Sequence, residues 1–80
     1  MEKIIISFSH TMKGILDDDY TLYNDGTVFH FYDKHTYPDG QNIEEHLTVD
    51  DLSKSIKERL YESSSHDNKV LVRTILKLTR

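Results

Sequence analysis

The chain has 80 residues, a formal net charge of −4 and no cysteine. That length sets one domain, residues 1–80, hiding roughly 60–65% of the surface its unfolded form exposes, with no room for a cofactor cavity beside a separate substrate pocket. Without cysteine there is neither a disulfide framework nor thiolate zinc, and the leading apolar run Ile4-Ile5-Ile6 is far too short for a signal peptide or a membrane span, so a soluble, cytoplasmic protein is expected.

The charge is unevenly spread. Residues 1–53 carry eleven acids against Lys3, Lys13 and Lys34, a net of −8, whereas residues 54–80 carry seven bases against three acids, a net of +4. Such a split marks either an ordinary mixed surface or a chain with an acidic partner-facing side.

From the N-terminus, residues 3–10 alternate, with Ile4, Ile6 and Phe8 pointing one way and Ile5, Ser7 and Ser9 the other, the pattern of a half-buried strand. Thr11 to Asp19 reads as a surface connection, because Asp17, Asp18 and Asp19 repel one another and favour water. Tyr20 to Tyr32 is the strongest local signal: two β-branched and aromatic runs flank Asn24-Asp25-Gly26, a hairpin turn.

Two registers suit that turn. With Asp25-Gly26 as a two-residue loop, Leu22 faces Phe29, so one face carries Tyr20, Leu22, Phe29 and Phe31, and the other Thr21, Tyr23, Val28, His30 and Tyr32. With Asn24-Asp25-Gly26 as a three-residue loop, Gly26 forms a left-handed bulge and Leu22 faces Val28 instead. The two-residue loop is the expected one, since it gathers the most apolar residues on a single face.

Tyr37-Pro38-Asp39-Gly40 is a β-turn, and Gln41 to Leu47 reads as an irregular return. Thr48-Val49-Asp50-Asp51 opens a helix whose apolar stripe is Val49, Leu52, Ile56 and Leu60. Ser63-Ser64-Ser65 is a short loop. Lys69 to Leu78 is rich in β-branched residues, yet helical pitch sets Lys69, Arg73, Lys77 and Arg80 opposite Leu71, Ile75 and Leu78, so a second helix capped by Ser65 or Asp67 is predicted. The expected fold is α+β: a small three-stranded antiparallel sheet followed by two α-helices packed on one face, in the order β-β-β-α-α.

No motif carries over from a known family, and none fixes a chemistry. His30, Asp33 and His35 suggest a metal-dependent hydrolase, but on a strand His30 and His35 point to opposite faces. Asp17, Asp18 and Asp19 lack calcium-loop spacing, no nucleophile elbow accompanies Ser7, Ser9 and His10, and Pro38-Asp39-Gly40 bears a carboxylate that would repel phosphate. No cofactor is implied. The basic stripe Lys69, Arg73, Lys77 and Arg80, with Tyr23, Tyr32 or His30 stacking on bases, gives an alternative reading as a single-stranded nucleic-acid binder, against an acidic chain overall.

The favoured reading is a small non-enzymatic protein-binding module, a regulator, inhibitor or immunity-type protein. Two helices cover one sheet face and leave Thr21, Tyr23, Val28, His30 and Tyr32, with Ile5 nearby, for a partner protein or a second copy. The acids Asp17, Asp18, Asp19, Glu44 and Glu45 would stand in for phosphates if that partner were a nucleic-acid enzyme.

Overall fold

A computed structural model describes residues 3–34, 37 and 40–78. Four strands, β1 (Ile5–Lys13), β2 (Leu16–Tyr23), β3 (Thr27–Tyr32) and β4 (Ile43–Thr48), form one antiparallel sheet in the order β1-β2-β3-β4. Two helices follow, α1 (Lys54–Ser63) and α2 (Lys69–Leu76), each preceded by a 3-10 turn, Val49–Asp51 and His66–Asn68. The α+β class and the order sheet-then-helices hold. The sheet has four strands rather than three, and the missing one is the segment read as an irregular return.

β4 is hidden in the sequence because Glu44, Glu45 and His46 are weak strand formers. Pairing supplies what propensity does not, since Glu45 lies opposite His30 and binds its ring. The aspartate run, expected in a surface connection, lies in a strand for a related reason. β1 continues to Lys13, turns at Gly14 (φ +67°) and Ile15, and re-enters the sheet at Leu16, so Asp17, Asp18 and Asp19 lie in β2. A strand sends neighbouring side chains to opposite faces, which parts Asp18 from Asp17 and Asp19 and removes the crowding that argued for a loop. Asp18 is buried, 7% exposed.

The β2–β3 turn takes the register that was not expected. Leu22 pairs with Val28 and Thr21 with Phe29, around a three-residue loop closed by the Gly26 N–H donating to Tyr23 O (3.1 Å), with Gly26 at φ +87°. Asp25 secures it by accepting from the Thr27 N–H (3.0 Å) and hydroxyl (2.6 Å). A one-residue slip turns every β3 side chain over. Val28, His30 and Tyr32 therefore share the helix side with Tyr20 and Leu22, and Phe29 and Phe31 share the other with Thr21 and Tyr23.

Helix capping was right in chemistry and wrong in extent. Asp51 accepts from the Thr48 N–H (2.9 Å), as a cap at Thr48 requires, but the turn it closes ends at Asp51, and Ser53 caps α1 afresh by accepting from the Ile56 N–H (3.3 Å). The break lets Val49 and Leu52 descend from the sheet edge into the core. α2 is helical, with Val72 and Leu76 fully buried and Leu71 44% exposed, so its inner face is turned from the expected one.

The core is Ile6, Leu22, Val28, Val49, Leu52, Leu60, Val72 and Leu76, with Tyr20, Leu47, Ile56, Tyr61, Ile75 and Leu78 packed around it, all between the helices and one sheet face. Burying each of these large side chains contributes about 1.5–3 kcal/mol before conformational entropy is set against it. No helix among the described residues is long and apolar enough to cross a membrane. Of the predicted Tyr37–Gly40 turn, Pro38 and Asp39 lie outside the described residues, while the Gly40 N–H donates to Tyr37 O at 2.9 Å.

Candidate functional site

Two surfaces gather functional groups. The first is a polar cluster on the helix side. Period-2 alternation sets Asp18 and Tyr20 on β2, His30 and Tyr32 on β3, and Glu45 on β4 on this one face. His30 Nε2 is 2.7 Å from Asp18 Oδ1, and His30 Nδ1 is 2.8 Å from Glu45 Oε1. Arg59 of α1 donates from Nη1 to Asp18 Oδ2 (3.1 Å), from Nη2 to Asp18 O (3.1 Å) and from Nε to Ser9 Oγ (3.2 Å). The imidazole is stacked between Tyr20 (4.0 Å, 6°) and Tyr32 (4.2 Å, 9°), and the Arg59 guanidinium lies 5.2 Å from the Tyr20 ring centre.

This cluster is a staple. Both ring nitrogens of His30 face carboxylate oxygens, so the ring ties β2 to β4 across β3 and has neither nitrogen turned to solvent. Burial disfavours the Asp18 charge, but hydrogen bonds from His30 and then Arg59, with their positive charges, outweigh it and hold the carboxyl below its usual range. Burial, reinforced by the Asp18 charge, pushes the Tyr20 hydroxyl up. Every buried side-chain polar atom among the described residues has a hydrogen-bond partner.

The second surface is the helix-free face with its β1 edge. Ile5, Phe8 and Met12 of β1 each leave half or more of their surface exposed. Across the sheet, Phe8, Thr21, Phe29 and His46 form one row, and His10, Asp19, Phe31 and Glu44 the next. Phe29 lies 6.4 Å from Phe31 and 5.3 Å from the His46 ring, and His10 Nδ1 is bound to Asp19 Oδ1. Along the outer side of β1, a groove of about 420 Å³ runs against α1, lined by Ser9, His10, Thr11, Ser55, Glu58, Arg59, Glu62 and Ser63.

The expected contact residues divide between these surfaces. Thr21 and Tyr23 lie on the helix-free face as predicted, although Thr21 is buried between Phe8 and Phe29. Val28, His30 and Tyr32 do not, because the hairpin slip moves β3 by one residue. Val28 is in the core and His30 is 8% exposed. Asp17 and Asp19 face away from the helices, and Asp18 faces Arg59. The phenylalanines and Met12 were missed as contact residues because the favoured register placed Phe29 and Phe31 in the core, while Met12 fell in a segment read as a loop.

Two of the basic stripe's cations, Lys69 and Lys77, are engaged within the chain. Lys69 Nζ donates to Tyr61 O (2.7 Å), Ser64 O (3.2 Å) and Glu62 O (3.3 Å), covering the C-terminal carbonyls of α1, and Lys77 Nζ is 2.9 Å from Asp50 Oδ1. Arg73 is exposed and Arg80 lies outside the described residues, as does His35 of the metal reading. Asp33 of that reading accepts from the backbone N–H groups of Asn42 (2.9 Å) and Asp17 (3.2 Å), and no three His, Asp or Glu side chains among the described residues converge on a metal-sized site. No family model, curated protein or solved structure matches the chain, so function rests on this geometry alone.

Proposed function

We propose that the chain is a non-enzymatic protein-binding module whose contact surface is the helix-free face of the sheet. One observation carries the reading: Ile5, Phe8 and Met12 stand half-exposed or more on that face, beside Phe29 and Phe31. Contiguous apolar surface on a small polar domain is costly in water and marks interaction sites, with aromatic and methionine side chains enriched at their centres. The phenylalanines replace the tyrosines as the expected anchors. Mimicry of phosphates by the acidic segment is weakened as a basis for binding, because Asp18 and Glu45 are bound to His30 and only Asp17, Asp19 and Glu44 remain on the contact face.

Nucleic-acid binding draws less support. Both faces of the His30 ring are covered by tyrosines, which leaves no plane for a base, and two of the cations hold carbonyls or a carboxylate of the chain itself. The test is chemical crosslinking of the tagged chain in native lysate, comparing the unmodified protein with Phe8→Ser/Met12→Ser and with a control on α2, Val70→Ser. A partner retained by the control and lost by the double variant supports the module. A chain that captures nothing, or captures equally in all three forms, refutes it.

A further inference from the structure

The two edges of the sheet differ. β4 carries Glu44, Glu45 and His46 along its length, the kind of charged edge that resists pairing with another chain. β1 is nine residues long, has no proline and no acid, and among the described residues no strand lies outside it. Its only irregularity is a bulge between Ile5 and Ser7, beyond which the ladder is regular from Ser7 to Lys13. Five of the eight large apolar side chains that are exposed among the described residues, Ile4, Ile5, Phe8, Met12 and Ile15, lie in β1 or within two residues of its ends, the others being Tyr37, Val70 and Leu71.

The surroundings of that edge differ on its two sides. On the helix-free side an added strand meets Phe8 and Met12. On the helix side it meets the groove against α1, where Glu58 and Glu62 lie one turn apart and the Arg59 guanidinium is held by Asp18 and Ser9. A strand shows one set of alternate side chains to each side. We infer that β1 accepts an extended segment of a partner polypeptide as a fifth strand, a segment whose alternate side chains are apolar and basic.

This rests on the protein-binding reading above and adds to it the mode, the edge and the chemistry of the partner. Main-chain hydrogen bonds to β1 supply affinity, and the two unlike sides supply specificity. A second copy is a poor occupant. Two β1 strands paired about a two-fold axis would set the two α1 helices side by side, with Glu58 and Glu62 of each facing those of the other, while Ser9 and Thr11, the β1 residues of the helix side that line the groove, carry no charge to offset them.

The probe is a capped octapeptide of alternating lysine and valine, titrated into the isotope-labelled chain and followed by amide shifts and hydrogen exchange. The expected result is perturbation and new protection centred on Ser7 to Lys13, with an alternating glutamate–valine peptide binding at least about tenfold more weakly. Valine N–H groups in such a strand all point to one edge and lysine N–H groups to the other. Methylating the nitrogens of one set must therefore abolish binding while methylating the other spares it. Glu58→Gln/Glu62→Gln and Phe8→Ser are each expected to weaken binding about tenfold without loss of folding, checked by the amide spectrum. No change in β1 up to ~1 mM peptide, equal binding of the two methylated peptides, or equal binding of the acidic peptide overturns the inference, as does a dimer of the chain alone with its β1 amides protected. If the lysate partner is captured through Phe8 and Met12 while the peptide leaves β1 unchanged, strand addition fails and the module stands. If neither occurs, both fail.

Discussion

Asp18→Asn removes the charge at the centre of the staple while keeping its size. In the native chain one carboxylate oxygen accepts from Arg59 Nη1 at 3.1 Å and the other from His30 Nε2 at 2.7 Å. An asparagine satisfies one of these donors with its carbonyl and turns an amide N–H₂ toward the other. Two charge-assisted bonds are at stake, each worth about 1.5–3 kcal/mol, with one retained in neutral form and burial of the carboxylate set against the total, so a loss of about 2–4 kcal/mol is expected. An 80-residue domain has about 4–12 kcal/mol in all, so Tm should fall by roughly 10–20 °C.

The difference between the two proteins also has a signature in pH. The folded carboxyl titrates below its unfolded value, so its stabilisation is fully present above the ordinary aspartate range and is lost as pH falls through the lower folded pKa. Urea unfolding of both proteins from pH 5.5 to pH 3 should show the gap closing toward the acid end. A variant within about 0.5 kcal/mol of the parent, or a gap that stays constant over that range, refutes the staple.

Other outcomes follow from single contacts. Gly26→Ala forces an L-residue into φ +87° with no atom within 4 Å of the new Cβ, so the cost is backbone strain alone, about 1–2 kcal/mol in urea unfolding. Leu22→Ala, at a fully buried site, should cost about 3–5 kcal/mol by the same assay. Lys69→Met leaves the Tyr61 and Ser64 carbonyls without their ammonium and should cost about 1–2 kcal/mol, with faster amide exchange confined to the end of α1 and the start of α2.

What the sequence shows and hides follows from the range of the forces involved. Period and capping are local, so the strand at residues 5–10, the hairpin, the Thr48–Asp51 hydrogen bond and the helical state of Lys69 to Leu76 are readable from nearby residues. The faces of β1 are not: the bulge between Ile5 and Ser7 sets Phe8 on the helix-free face with Ile5 and turns Ser7 and Ser9 to the helix side, where Ile6 joins the core, against the expected grouping of Phe8 with Ile4 and Ile6. Register is also local, but the two readings of Asn24-Asp25-Gly26 differ by less than the side-chain burial they redirect. Gathering the apolar residues on one face picked the wrong one, because Phe29 and Phe31 are not needed in this core. The partners of Asp18 are 12 and 41 residues away, and an acid three residues from no base gives no hint of a guanidinium on a later helix. β4 was lost in the same way, since its pairing with β3 is a tertiary fact.

The open face follows from arithmetic on the elements. Four strands spaced about 4.8 Å apart span roughly 14 Å between the outer axes, and nine residues of strand run about 30 Å. A helix of ten residues is about 15 Å long and one of eight about 12 Å, each about 10 Å across with its side chains. Two such helices cannot cover one side of the sheet completely, let alone both. α1 packs against β1 and β2. Toward β3 and β4 the helix side is finished instead with the Tyr20–His30–Tyr32 stack and Glu45, groups that tolerate water at their margins. On the other side, among the described residues, the His10–Asp19 pair stands between Phe8 and Met12 and leaves each of them half-exposed or more. The chain thus invests charge and aromatic stacking in closing one half-covered side while leaving phenylalanine and methionine bare on the other, and a surface left apolar where the same sequence shows the means to make it polar is where a partner is to be sought.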